Sequence, residues 1–242
     1  MTQIPKIATP AQPSDFRPIS ITPVLSRSLE RFVVQKFIYP ALSLPYLSLN
    51  FSDQFMFRPS GSTTAALVAM LHTVRSVLAN NDYVHVLSFD FSNASDTVRQ
   101  ASLMSKLAQL ALPDSIYNWA VDFFENHAHC TKFDEIISAV AVIQASVIQG
   151  SALGPATYIV TAADLHPIYE RNLIFKSADD TYLIVPAVNM NTCPEENQHL
   201  QAWAADNNLK PNKNKTKEII FTAGQMRAPP PSHLDIERVS SL

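Results

Sequence analysis

Two apolar stretches that end in carboxylates constrain this chain more than any other feature. Tyr83 to Phe89 is a compact run in which Val84, Val86, Leu87 and Phe89 favour a buried strand, and it stops at Asp90. Further on, Leu173 to Lys176 and Thr181 to Val185 flank Ser177, Ala178, Asp179 and Asp180, which reads as a tight hairpin with an acid pair at its turn. Acid side chains at strand ends do not serve a core. Like charges packed closely raise one another's pKa unless a cation intervenes, so three such acids suit a hard dication with oxygen ligands. Taken alone, Asp179 and Asp180 also read as a plain polar turn.

The rest of the chain supplies what such strands need to pack against. Leu25, Leu29, Phe32, Val33 and Phe37 recur at helical spacing, as do Leu67, Val68, Leu71, Val74 and Leu78, so amphipathic helices are expected over Val24–Phe37 and Thr64–Leu78. Leu103, Leu107, Leu110 and Ala111 mark another helix. Ile116, Ala120, Phe123 and Phe124 mark the next, with Asp114 after Pro113 as its N-cap. Lys132 to Ile148 reads as a hairpin, and Gly154-Pro155 opens a helix that Pro167 closes. Pro194, Glu195 and Glu196 begin a helix with Leu200, Trp203 and Ala204 on its buried face, and Glu218 to Phe221 is a last strand. Before Ser14, the spacing of Pro5, Pro10 and Pro13 argues against regular structure. The element order fits an α+β fold, an antiparallel sheet with helices on one face close to the split βαβ pattern.

Composition sets bounds on function. With 242 residues and 47% hydrophobic content the chain can bury a core. Its longest apolar stretch, Ser138 to Ile148, is interrupted by Gln144 and too short to span a bilayer; Met1 to Phe16 lacks a signal pattern, so neither membrane insertion nor secretion is expected. Cys130 and Cys193 belong to no paired motif and are expected as free thiols, and His127, His129 and Cys130 lack the second ligand pair of a zinc module. A net charge of -3 opposes a nucleic-acid partner. Local clusters temper that: Arg17, Arg27, Arg31 and Lys36 near the start, and Lys210, Lys213, Lys215 and Lys217 near the end. A solvated face is the plain alternative for each cluster.

Six segments in order, from about Ser14 to Phe221, resemble the successive motifs of non-LTR, jockey-like retrotransposon reverse transcriptases. Asp15-Phe16-Arg17-Pro18-Ile19-Ser20, followed by Leu25 and Glu30, resembles the first fingers motif. Asp53-Gln54-Phe55 with Phe57-Arg58-Pro59 and Gly61-Ser62-Thr63 resembles the second. Ser88-Phe89-Asp90-Phe91-Ser92 through Asp96-Thr97-Val98 resembles the strand bearing the first catalytic acid, and Gln149-Gly150-Ser151-Ala152-Leu153-Gly154-Pro155 the loop and helix under the incoming nucleotide. Ala178-Asp179-Asp180-Thr181 resembles the catalytic hairpin. Trp203-Ala204, Asn207-Asn208-Leu209 and Asn212 through Lys217 resemble the motif that follows it.

The resemblance implies a right-hand polymerase, with residues 1–13 a lead-in, 14–82 fingers, 83–223 palm with inserted fingers-side helices, and 224–242 a tail leading to a primer grip and thumb. It implies a ferredoxin-like palm sheet, an RNA template, a DNA primer and deoxynucleoside triphosphates. Two Mg2+ ions, with Mn2+ as a substitute, would be held by Asp90, Phe91, Asp179 and Asp180, activating a 3'-hydroxyl and stabilising a leaving pyrophosphate. Lys215 would act as general acid beside those catalytic acids. Arg17, Arg58, Phe91, Ser95, Gln149 and Gly150 would bind the nucleotide, the arginines because guanidinium matches phosphate oxygens. An intracellular setting, cytoplasmic or nuclear, is implied as well, and no protein partner is named. Four positions depart from the pattern: Met56 stands where Gly or Ala is usual, Asn93 replaces a lysine, Ser95 the aromatic under the sugar, and Ser177 the aromatic before the acid pair. These departures leave a second reading, a palm-and-fingers remnant that binds nucleic acid at most and catalyses nothing.

Overall fold

The computed structural model describes residues 1–92, 94–125, 128–133, 135–142, 147–224, 230, 234 and 236–239, the side chains of Ser14 and Ser95 excepted. Asn93, His127, Gln144 and the final Ser240, Ser241 and Leu242 therefore lie outside the described residues. In chain order the principal elements are β1 (Thr2–Pro5), β2 (Phe16–Ile19), α1 (Val24–Val33), α2 (Thr63–Leu78), β3 (Tyr83–Phe89), β4 (Phe91–Ser92), α3 (Gln100–Leu107) and α4 (Asp114–Phe124). They continue with α5 (Leu153–Thr161), β5 (Leu173–Ser177), β6 (Asp180–Pro186), α6 (Cys193–Asp206), β7 (Lys210–Pro211), β8 (Lys217–Thr222) and β9 (Glu237–Arg238). The chain forms two compact units, Met1–Leu44 with Ser95–Thr161, and Pro45–Ala94 with Ala162–Leu242.

The second unit is organised by a five-stranded sheet in the order β9-β8-β3-β6-β5. Its pairs are antiparallel except β8 with β9, which run parallel. The run Val84–Leu87 is wholly buried at the middle of the sheet, three apolar residues and His85, with both faces covered. On one face, Val74 of α2 packs against Val84, Val86 and Ile184, with Met70, Val77, Leu78, Phe175 and Tyr182 around them. The Ser62 side chain caps α2 by accepting the Ala65 N–H at 3.0 Å. On the other face, Cys193 at the start of α6 approaches His85, Sγ to Nδ1 3.6 Å, and burial pushes its thiol up to about 12. Cys130 and Cys193 are both free.

Helix α2 packs on this sheet and belongs to the same compact unit. Its buried stripe runs through Met70, Val74, Val77 and Leu78, whereas Leu67, Val68 and Leu71 of the expected stripe stay exposed. Beyond residue 223, Glu237–Arg238 pairs with Lys217–Glu218, and Arg238 Nε sits 2.5 Å from the buried Glu218 Oε2.

The first unit corrects one expectation outright. Thr2–Pro5 is a strand, paired antiparallel with β2 from Thr2↔Ile19 to Pro5↔Phe16. Its proline occupies the terminal position, where a missing N–H costs the ladder little. The expected helix over Val24–Phe37 holds as α1 to Val33 and continues as a wider π-type turn, Val34–Ile38. Lys132–Phe133 and Ile136–Ile137 form a short hairpin within the expected one, and β1 pairs with its first strand at Lys132. At α4 the capping position belongs to Pro113, and Asp114 is the first helical residue, where its charge still favours the helix N-terminus. Helix α5 is buried almost all round, ends at Thr161, and packs beside α3.

Candidate active site

Strand register gathers the acids. Thr181 pairs with Phe89, so the next step outward sets Asp180 opposite Asp90, one past the end of β3. Ser177 pairs with Asp180, which leaves Ala178 and Asp179 as the two turn residues, and Ala178 takes the left-handed conformation such a turn demands, at φ 57°. A third segment closes on Asp90. Lys210–Pro211 pairs with Phe91–Ser92, the Asn212 N–H donates to the Asp90 carbonyl at 2.8 Å, and the turn carried by Asn212 places Lys215 Nζ 3.4 Å from Asp90 Oδ2.

The electrostatics is that of carboxylates short of positive charge. Asp90 Oδ2 is buried without a hydrogen bond, and Lys215, itself largely exposed, approaches it only at ion-pair range. Partial burial pushes the Asp180 carboxyl above its ordinary value, the charges of Asp179 and Asp90 push it further, and Lys215 opposes them. Among the described residues no group of three or more His, Cys, Asp or Glu side chains is drawn together in a metal-holding arrangement. The donor chemistry nevertheless fits a hard dication: oxygen ligands on adjoining strand ends, one of them an orphaned carboxylate oxygen.

The other sequence candidates fall in different places. Phe91 is buried, its ring edge-on to Trp203 with centroids 6.0 Å apart, so only its backbone faces a ligand role. Arg58 donates from Nη1 to the Phe51 carbonyl and, at 3.4 Å, to that of Gln54, holding its own loop, in which Phe57 and Ser60 both take positive φ. Arg17 is exposed on β2, and the side chain of Ser95 lies outside the described part. Arg17, Ser95, Gln149 and Gly150 belong to the first unit, and the acids, Phe91, Arg58 and Lys215 to the second. Ser177 lines a cavity of about 120 Å³ with Met70, Phe175, Tyr182 and Asp180.

Sequence reasoning missed the residues that hold these parts in place. Lys176, two positions before the turn, is fully buried; its Nζ donates to Ala162 O at 2.7 Å and Leu165 O at 3.1 Å and pairs with Asp53 Oδ1 at 3.0 Å. Burial pushes Lys176 down and Asp53 up, each opposed by the other's charge. Glu30, also fully buried, accepts the Ala152 N–H at 2.7 Å and caps α5. A lysine ending an apolar run, and the places of Glu30 in the first motif and Asp53 in the second, were the signals available.

A sheet of this topology with acids at its strand ends defines a right-hand polymerase fold with palm and fingers elements. The chain belongs to the reverse transcriptase (RNA-dependent DNA polymerase) family, whose model matches residues 4–231. It is 24% identical over 232 residues to the probable RNA-directed DNA polymerase from transposon X-element of Drosophila melanogaster, covering 93% of this chain and 25% of that protein. To the RNA-directed DNA polymerase from mobile element jockey of the same organism it is 26% identical over 227 residues, covering 88% and 24%. The chain thus spans about a quarter of the length of these curated relatives. Among solved structures, apo telomerase from Candida tropicalis matches with TM-score 0.59 at 13% identity, over 82% of this chain and 37% of that one. The same enzyme with a fragment of telomeric RNA gives 0.56 at 16%, over 67% and 30%. These two share the fold. No helix among the described residues is long and apolar enough to cross a membrane.

Proposed function

We propose that this chain carries the polymerisation centre of an RNA-directed DNA polymerase, which extends a DNA primer on an RNA template with deoxynucleoside triphosphates. The carrying observation is the register that sets Asp180 opposite Asp90, with Asp90 Oδ2 buried and lacking a hydrogen bond. Asp90, Asp179 and Asp180, with the Phe91 carbonyl, would hold Mg2+, two ions in the full reading and Mn2+ as a substitute. When bound, the cation supplies positive charge that makes the primer hydroxyl more acidic and stabilises charge on the departing pyrophosphate. The protein's own contribution is placement. β3 and the hairpin carry the acids, and the Asn212 turn sets Lys215 Nζ 3.4 Å from Asp90 Oδ2, from where it would give a proton to the leaving group. Arg17 and Arg58 would meet the triphosphate or template, Gln149 and Gly150 the incoming nucleotide, and Ser95 its sugar.

One observation favours the second reading, a remnant without catalysis: the acids do not stand as a ready metal cage. Primer extension on an RNA template with Mg2+ decides between them. Incorporation that vanishes in Asp180→Asn supports the polymerase; nucleic-acid binding with no incorporation, or incorporation indifferent to Asp180→Asn, overturns it.

A further inference from the structure

Gln149 is a nucleotide-contact candidate from the sequence, and the first unit shows what aims it. Its Nε2 donates to Asp96 Oδ1 at 2.6 Å, and both side chains are half-buried. Its backbone is held as well. The Ser20 N–H donates to the Gln149 carbonyl at 2.8 Å, and Gly150 turns at φ 96° so close to β2 that a Cβ there would lie 2.5 Å from Ser20 O. Glu30 then holds the next turn through Ala152.

A carboxamide held against Asp96 can still exchange its nitrogen and oxygen ends. An ionised carboxylate only accepts hydrogen bonds, so it engages the nitrogen end and leaves the oxygen as the free acceptor. We propose that Asp96 is a positioning residue that locks the Gln149 carboxamide with Oε1 turned toward a donor, the hydroxyl of an incoming nucleotide's sugar. This rests on the nucleotide-binding reading above. Burial pushes the Asp96 carboxyl up, while the bond from Gln149 and the charge of Lys6 oppose that rise. Once protonated, Asp96 can donate to Oε1 instead, and the carboxamide would present nitrogen to the ligand.

The full chain, labelled with nitrogen-15 in its glutamine side chains, tests the clasp directly. The Gln149 amide signal, assigned by its loss in Gln149→Met, is expected to shift with pH in the acid range in the parent protein. It should lose both its position and its titration in Asp96→Ala, and lose its titration in Asp96→Asn, whose amide can either accept or donate. In the same samples, dTTP with Mg2+ should bind about tenfold more weakly to Asp96→Ala, the worth of one charge-assisted hydrogen bond, and recover only in part in Asp96→Asn. A Gln149 signal indifferent to Asp96→Ala overturns the positioning role. A parent chain whose signal behaves as expected but which ignores dTTP overturns the nucleotide reading, and the sugar contact with it.

Discussion

The two compact units bury charge by different means. In the sheet unit two buried charges meet charged side chains, Lys176 facing Asp53 and Glu218 lying between His85, 2.5 Å away, and Arg238, although Lys176 also donates to backbone carbonyls and Glu196 is held by the Ile168 and Tyr169 N–H groups. In the other unit buried charges meet the ends of a helix, Glu30 at the N-terminus of α5 and Lys106, whose Nζ donates to Thr161 O at 2.5 Å, at its C-terminus. The contrast follows from backbone chemistry. A strand within a sheet has its N–H and C=O groups largely taken by its neighbours, so a charge on it needs an ion partner. A helix leaves orphan N–H groups at one end and orphan carbonyls at the other, and its dipole favours an acid at the first and a base at the second.

The contrast predicts unequal damage. Lys176→Met should cost about 3–5 kcal/mol, because it leaves Asp53 as an uncompensated buried charge, and Lys176→Met with Asp53→Leu should recover most of that loss. Urea unfolding measures both, and a single-variant loss below about 1 kcal/mol would break the comparison. Glu30→Ala should cost less, about 1–3 kcal/mol, since orphan amides rather than a charge are left behind. Hydrogen exchange should then quicken at Ala152 and Leu153, and Glu30→Gln should restore part of the protection.

How far the sequence could reveal these arrangements depends on how local each signal is. The strand ending at Asp90 and the hairpin around Asp179 and Asp180 were legible because apolar alternation and turn chemistry act within a few residues. The ordered motifs, though short, added up to the family that the match over residues 4–231 shows. Lys176 was not legible as an anchor, because its acceptors at Asp53, Ala162 and Leu165 come from distant segments. Thr2–Pro5 was hidden for the same reason: its proline is visible locally, its partner strand is not. Helix α1 shows the converse. Its periodicity was legible, yet Leu25 is 85% exposed and Phe32 52%, because a stripe states amphipathicity and not what covers it. Leu25→Ala should accordingly change stability by no more than about 0.5 kcal/mol, the smallest effect here, and a larger loss in thermal unfolding would show the stripe to be covered.

The central claim, that Asp90, Asp179 and Asp180 form one divalent-cation site, is tested most directly by Mn2+ titration of the full chain followed by paramagnetic broadening of amide signals. Signals of Asp90, Asp179, Asp180 and their strand neighbours should fade first, and Asp90→Asn and Asp180→Asn should each weaken binding at least about tenfold, since each removes a charged oxygen ligand. Because the Asp180 carboxyl is raised above its ordinary value, binding should weaken on acidification at a higher pH than an unperturbed aspartate would allow. Broadening centred elsewhere, or an affinity unchanged in both variants, would contradict the account.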